Sequence, residues 1–267
     1  LTTPNLAVGR LLWHKVILKP MNRHAFKSLS ALSLATVFLA GCSRKDVSGI
    51  GFEEGLSSVN DQSLSLWQGA WIAAGVVGVF TLILIMWPVF FHRKKDENFP
   101  KQTQYNIPVE VLYTIIPFII VAVLFYFTAQ KQTVITAKTD TYKHEITVEG
   151  IQWSWQFGYP EAGPDAVVTG TPAQPPVLYV PLGERVRYTI TANDVIHGFW
   201  IPAFMIQIQN IPGVTNYLEF TANKLGDFPG RCNILCGRNH SQMLFTVRVV
   251  TPAQYQAYLE TIKGNGA

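Results

Sequence analysis

The stretch Trp67-Gln-Gly-Ala-Trp71-Ile-Ala-Ala-Gly-Val-Val-Gly-Val-Phe-Thr81-Leu-Ile-Leu-Ile-Met-Trp87-Pro-Val-Phe-Phe91 has only Gln68 and Thr81 as polar interruptions. It exceeds the ~18 residues that mark a spanning helix, and Trp67, Trp71 and Trp87 near its ends suit an interfacial aromatic belt. A second run, Ile107 to Thr128, carries a single ionisable residue, Glu110. A buried core helix of a soluble protein is a poor alternative for two runs of this length. The connection His92–Asn106 carries Arg93, Lys94, Lys95 and Lys101, so the positive-inside rule places it in the cytoplasm and both flanks outside. Composition agrees. Of 267 residues 48% are apolar and 14% charged, against about 25% charged in a typical soluble protein. The net charge of +4, from 21 basic and 17 acidic residues, is too mild to argue for a nucleic-acid partner.

Upstream of the hairpin, Met21-Asn-Arg23-His-Ala-Phe-Lys27 precedes the apolar run Ser28 to Ala40, a basic n-region before a short h-region, as in a secretory signal peptide. Met21 is the expected start, with residues 1–20 as upstream reading. The run ends in Leu39-Ala40-Gly41-Cys42, which resembles the bacterial lipoprotein box and makes Cys42 the expected lipidation site. A buried Cys in a membrane helix is the alternative, but the run falls short of the ~20 residues needed to span a bilayer. A lipidated Cys42 must lie outside, as the charge rule also requires. The expected location is the bacterial plasma membrane, multi-pass, with the C-terminal domain extracytoplasmic. The expected organisation is an upstream and signal segment (1–41), an exported linker (42–66), a transmembrane hairpin (67–130), a β domain (131–252), and a C-terminal helix with tail (253–267).

Beyond Thr133 the pattern changes. Residues 143–149 and 185–191 alternate, and 177–180, 217–221 and 243–250 are β-like, which suggests a small sandwich or barrel. Residues Glu161–Pro176, rich in Pro, Gly and Ala, read as a surface loop. Pro252 opens a terminal helix reaching Ile262. Residues 131–267 hold ten Lys/Arg and ten Asp/Glu, so no overall field is expected to steer a charged soluble partner.

Three cysteines cannot all pair within one chain, which excludes a disulfide scaffold. Two of them lie in Cys232-Asn-Ile-Leu-Cys236-Gly-Arg-Asn-His240-Ser-Gln-Met243, with His197 upstream. Thiolate, imidazole and thioether form a soft-to-borderline donor set that favours copper over hard cations. Cys-x3-Cys alone could be a plain disulfide in an exported domain. Zinc could take two Cys and two His but gives Met243 no role. A mononuclear copper site leaves the second Cys unexplained. Two bridging thiolates could instead hold two copper ions, and sharing one electron between them would limit ligand movement.

These residues carry a family resemblance. The chain resembles subunit II of a haem–copper cytochrome c oxidase, of the actinobacterial type, from about Trp67 to Leu259. The resemblance rests on the hairpin, on Asn106-Ile-Pro-Val-Glu110 with Pro117, and on Gln152-Trp-Ser-Trp-Gln-Phe-Gly-Tyr159. Asp194-Val-Ile-His-Gly-Phe-Trp-Ile-Pro202 and the Cys232–Met243 loop complete it. It implies a mixed fold, with an all-β cupredoxin-like barrel on the hairpin and a short C-terminal helix. It implies a dinuclear CuA copper centre held by His197, Cys232, Cys236, His240 and Met243 and by the backbone carbonyl of Ile234. It also implies a c-type cytochrome donor delivering electrons near Trp153, with Trp155 in the core. Oxidase subunit I and other oxidase subunits would be partners. Oxygen reduction, coupled to proton translocation, would occur in subunit I, so this chain would hold no catalytic residue of its own. Balanced charge and a lipid anchor in the bilayer favour a membrane-held donor.

By the same resemblance Glu110 is the mouth of a proton path into subunit I; an interfacial Glu in headgroup water is the alternative. Two departures stand out. Ile234 replaces the family's usual Glu, which keeps the carbonyl but removes the carboxylate that would bind an interface magnesium. Gln207-Ile-Gln209-Asn-Ile-Pro-Gly213 replaces Lys-x-Asp-x-x-Pro-Gly, so Gln209 stands for a second acid. A copper-free quinol oxidase subunit II would lack the Cys and His ligands, which are present. A stand-alone membrane-tethered copper protein would not explain Glu110 or the hairpin motifs. A nitrous-oxide-reductase-like domain would not call for the hairpin.

Overall fold

The computed structural model describes residues 51–94, 96–99 and 102–263. Cys42, the signal segment and the Met21 start lie outside them. Two long helices come first. α1 (Asn60–Phe91) and α2 (Ile107–Ile135) contain 32 and 29 residues, with Pro88 and Pro117 inside them. At ~1.5 Å per residue they are about 48 and 43 Å long, more than the ~30 Å hydrocarbon core requires. Their apolar side chains, including Ile72, Phe80, Ile83, Phe118 and Phe125, are exposed. So much exposed apolar surface needs lipid or partner protein around it, and both helices are long and apolar enough to cross a membrane. α2 starts where Asn106 accepts a hydrogen bond from the Val109 N–H and Glu110 accepts one from the Asn106 N–H (2.9 Å). This reciprocal cap satisfies two otherwise orphan donors.

Each helix extends past its apolar run, α1 starting at Asn60 rather than Trp67 and α2 ending at Ile135. Residues 60–65, mostly polar, therefore belong to a helix, which buries Asn60 and Leu64 at this end. Asn60 is fully buried, its side chain accepting from the Leu56 N–H and donating to the Glu53 carbonyl. Leu56 and Val59 are part of the barrel core.

The β domain packs two five-stranded sheets face to face. The first has the order β3-β2-β1-β5-β8, from β1 (His144–Ile151), β2 (Ser154–Gly158), β3 (Val167–Thr169), β5 (Arg185–Ala192) and β8 (Asn216–Thr221). The second has the order β4-β10-β9-β6-β7, from β4 (Val177–Pro181), β6 (His197–Ile201), β7 (Ile206–Asn210), β9 (Gly226–Cys232) and β10 (Leu244–Val250). β1 with β5 and β4 with β10 run parallel, and the other pairs antiparallel.

Alternation in β1 and β5 puts Ile146, Val148, Tyr188 and Ile190 inside. They meet Phe199, Ile201, Val247 and Val249 of the opposite sheet. Each large side chain fully buried this way contributes about 1.5–3 kcal/mol. Phe199 and Phe245 stack at 4.9 Å, with Trp155 edge-on to both. Helix α3 (Pro252–Ile262) is held by a Thr251/Gln254 capping box and buries Tyr255, Leu259 and Ile262. The expected loop over residues 161–176 holds β3 and buries Ala162 and Ala166.

Candidate metal centre

The site forms where β6 begins and β9 ends. In the sheet register Phe199 lies opposite Cys232, which brings His197 and the cysteine loop together at the same end of the second sheet. Ligating atoms of His197, Cys232 and Cys236 all lie within 4.8 Å of one another, and all three residues are buried. The two sulfurs are 3.8 Å apart and unbonded, well beyond the ~2.05 Å of a disulfide.

The other expected donors crowd the same sulfurs. The Ile234 carbonyl oxygen is 3.2 Å from Cys232 Sγ, His240 Nδ1 is 3.6 Å from Cys236 Sγ, and Met243 Sδ is 3.7 Å from Cys236 Sγ. Met243 is fully buried, and its carbonyl accepts from the Cys232 N–H (3.0 Å) and from Trp155 Nε1 (3.4 Å).

His197 is fully buried. Its Nε2 is 2.8 Å from Asp194 Oδ1, while Nδ1 has no hydrogen-bond partner. A buried imidazole nitrogen costs free energy unless something accepts its proton or takes its lone pair. A carboxylate on the far nitrogen is the usual way a metal-ligating His is oriented. The donor set therefore fits a soft metal ion.

Burial pushes the Asp194 carboxyl up, but His197 and the backbone N–H groups of Val195 and Gln152 outweigh it and hold it below the ordinary carboxylate range. Burial also pushes the Cys232 thiol up, but the neighbouring His197 and the backbone at Gly198 and Ile234 bring it well below an ordinary thiol. Burial and the adjacent Cys232 charge push Cys236 the other way. No carboxylate stands at Ile234 or Gln209, so these positions do not fit a magnesium ion.

Trp153 lies in the turn between β1 and β2. The turn lifts its half-exposed indole over the loop, where Nε1 donates to the Cys236 carbonyl (3.3 Å). Gln152 Nε2 donates to the same oxygen (2.8 Å). Trp155 is fully buried in the aromatic core, as expected. Glu110, at the start of α2, is not part of this cluster. Two supports had no assigned role in the sequence: Asp194, whose signal is its spacing of three before His197, and Gln152.

Residues 174–250 match the family described as cytochrome c oxidase subunit II, periplasmic domain. The chain is 38% identical to the probable cytochrome c oxidase subunit 2 of Streptomyces coelicolor, over 93% of this chain and 89% of that one. It belongs to the cytochrome c oxidase subunit II family. Another member, the cytochrome c oxidase subunit 2 of Mycobacterium tuberculosis, is 34% identical over 86% of this chain and 79% of its own. Among solved structures, the periplasmic domain of cytochrome oxidase subunit II of Bradyrhizobium japonicum is 32% identical. It covers 50% of this chain and 100% of its own, at a TM-score of 0.42. The subunit II family is part of a respiratory oxidoreductase complex, and this chain carries that family's β domain behind two long apolar helices.

Proposed function

We propose that this subunit II accepts electrons from a c-type cytochrome at a dinuclear copper (CuA) centre and passes them to haem in oxidase subunit I. There oxygen is reduced to water and protons are moved across the membrane. The observation that carries the reading is the pair of buried, unbonded sulfurs 3.8 Å apart, faced by two imidazoles, a thioether and a carbonyl. Bound copper would supply a one-electron couple spread over two metals through the Cys232 and Cys236 thiolates. His197, His240, Met243 and the Ile234 carbonyl would complete the two coordination shells.

The chain's own residues hold that shell still. Asp194 orients His197, and Gln152 and Trp153 anchor the Cys236 carbonyl. Ligands that do not move between oxidation states leave little reorganisation to slow the transfer. Trp153, half-exposed and bonded to the backbone of a ligand, is where the electron arrives. The hairpin makes the protein multi-pass in the bacterial plasma membrane, with the β domain outside and Cys42 carrying a lipid. Glu110 opens a proton path into subunit I from the cytoplasmic side.

Metal analysis with electron paramagnetic resonance on the full chain in detergent tests the reading. Two copper ions sharing one unpaired electron are expected; zinc, or a Cys232–Cys236 disulfide without copper, overturns it. Trp153→Leu is expected to slow reduction of the centre at least tenfold with copper content intact. Unchanged kinetics would remove Trp153 from the path.

A further inference from the structure

Asn233, between the ligand Cys232 and the carbonyl of Ile234, makes contacts that the reading above does not use. Its Nδ2 donates to Gln207 Oε1 on β7. Its backbone N–H donates to the Gly198 carbonyl (3.2 Å), one residue after His197. Its side chain lies flat on Gly198: a Cβ added there would stand 1.9 Å from Asn233 Oδ1 and 2.9 Å from Ile234 Cγ1. Three separate pieces of chain, β6 at the His197 end, β7 and the cysteine loop, therefore meet on one amide side chain.

From this geometry we infer that Asn233 is a positioning residue for the metal centre. Clamped between Gln207 and Gly198, it sets where the Ile234 carbonyl and Cys232 sulfur stand relative to His197. The inference rests on the copper reading. The carbonyl has no side chain of its own to steer it, and an apolar Ile234 cannot be tied down by ion pairing. The clamp therefore falls to the neighbouring residue. Gln207 and Asn233 are both uncharged, so the device works without a cation or a carboxylate at this edge of the site.

The test uses the full chain in detergent with Asn233→Ala, Gln207→Leu and the double variant. Gln207 is exposed on its strand, so Gln207→Leu leaves the core untouched. Loss of one hydrogen bond of ordinary strength corresponds to about a fivefold faster loss of copper to a chelator. Each single variant is expected to show this, together with an altered copper hyperfine pattern, and the double variant no more than either alone. In metal-free protein, amide exchange at Asn233 is expected to accelerate by a similar factor in both single variants.

Wild-type protein without copper would sink the copper reading, and amide exchange would then decide the clamp alone. Copper-loaded variants with unchanged spectrum, copper loss and amide exchange would overturn the inference while leaving that reading intact. Strictly additive losses in the double variant would also overturn it, because the two side chains would then act separately.

Discussion

Replacing Glu219 by Ala should loosen the joint between the hairpin and the β domain. Glu219 is 2% exposed, yet its carboxylate accepts from Arg185 Nε (3.0 Å), Arg187 Nε (2.8 Å) and Thr139 Oγ1 (2.7 Å). Thr139 lies just past the end of α2, so this acid ties the helical segment to β5 and β8. Removing one partner of a buried pair costs about 3–5 kcal/mol. Both arginines are partly exposed and can regain water, which points to the lower end, about 3 kcal/mol. At ~3 °C per kcal/mol for a domain of this size, melting should fall by about 9 °C.

The loss has a pH signature. Burial pushes the Glu219 carboxyl up, but Thr139, Arg187 and Arg185 outweigh it and hold it below its ordinary 4.5. A depressed folded value adds stability above the unfolded value, and that stability is lost as pH falls through the folded one. The gap between wild type and Glu219→Ala should therefore be full at neutral pH and narrow steadily below pH 4.5. Thermal unfolding of both proteins in detergent across that range is the assay. A difference under ~1 kcal/mol at neutral pH, or one that stays constant into acid, would refute the reasoning.

Gly230→Ala should destabilise by about 2–3 kcal/mol in denaturant unfolding, because its Cβ would stand 2.1 Å from Phe245 Cζ, and that ring is pinned by Phe199 and Trp155. Asp194→Asn should weaken copper retention about 10–100-fold, measured by chelator competition, through loss of the carboxylate that orients His197. Glu110→Gln separates two roles for that residue. As the mouth of a proton path it should slow oxidase turnover, whereas normal turnover with slightly less stable α2 would leave it only the helix cap seen at Asn106.

What was legible in the sequence followed the strength of its periodicity. β1, β4, β5, β8 and β10 alternate or run β-branched, and each expected segment lies within a residue or so of its strand. β9 was hidden because Gly226-Asp-Phe-Pro229-Gly-Arg-Cys232 looks like a loop. Pro229 sits opposite Thr246, whose own N–H donates to the Pro176 carbonyl on the other side, so this pair asks for no proline N–H. β3 was lost inside a Pro- and Gly-rich stretch for the same reason. β2 and β6 are five residues each and buried at nearly every position, so neither shows an alternating pattern. The donor set could be named from residue types and the family resemblance. Asp194, Gln152 and Asn233 could not, because what they do depends on contacts across strands. The position of Trp153 over the cysteine loop is likewise a tertiary feature, its indole bonded to the Cys236 carbonyl.

The segment before α1 has a consequence for assembly. Ser57 bridges to Ala222, the Ser58 N–H donates to the Thr221 carbonyl (2.9 Å), and Leu56 and Val59 complete the interior of a domain whose strands lie beyond the hairpin. The globular half is therefore stitched from pieces made before and after the two long helices, and its interior cannot close until both have been made. A truncated soluble form that starts after the second helix would expose a wound where those two side chains belong. Loading of a metal at the site would accordingly come late in biogenesis, once the chain on both sides of the two long helices is in place.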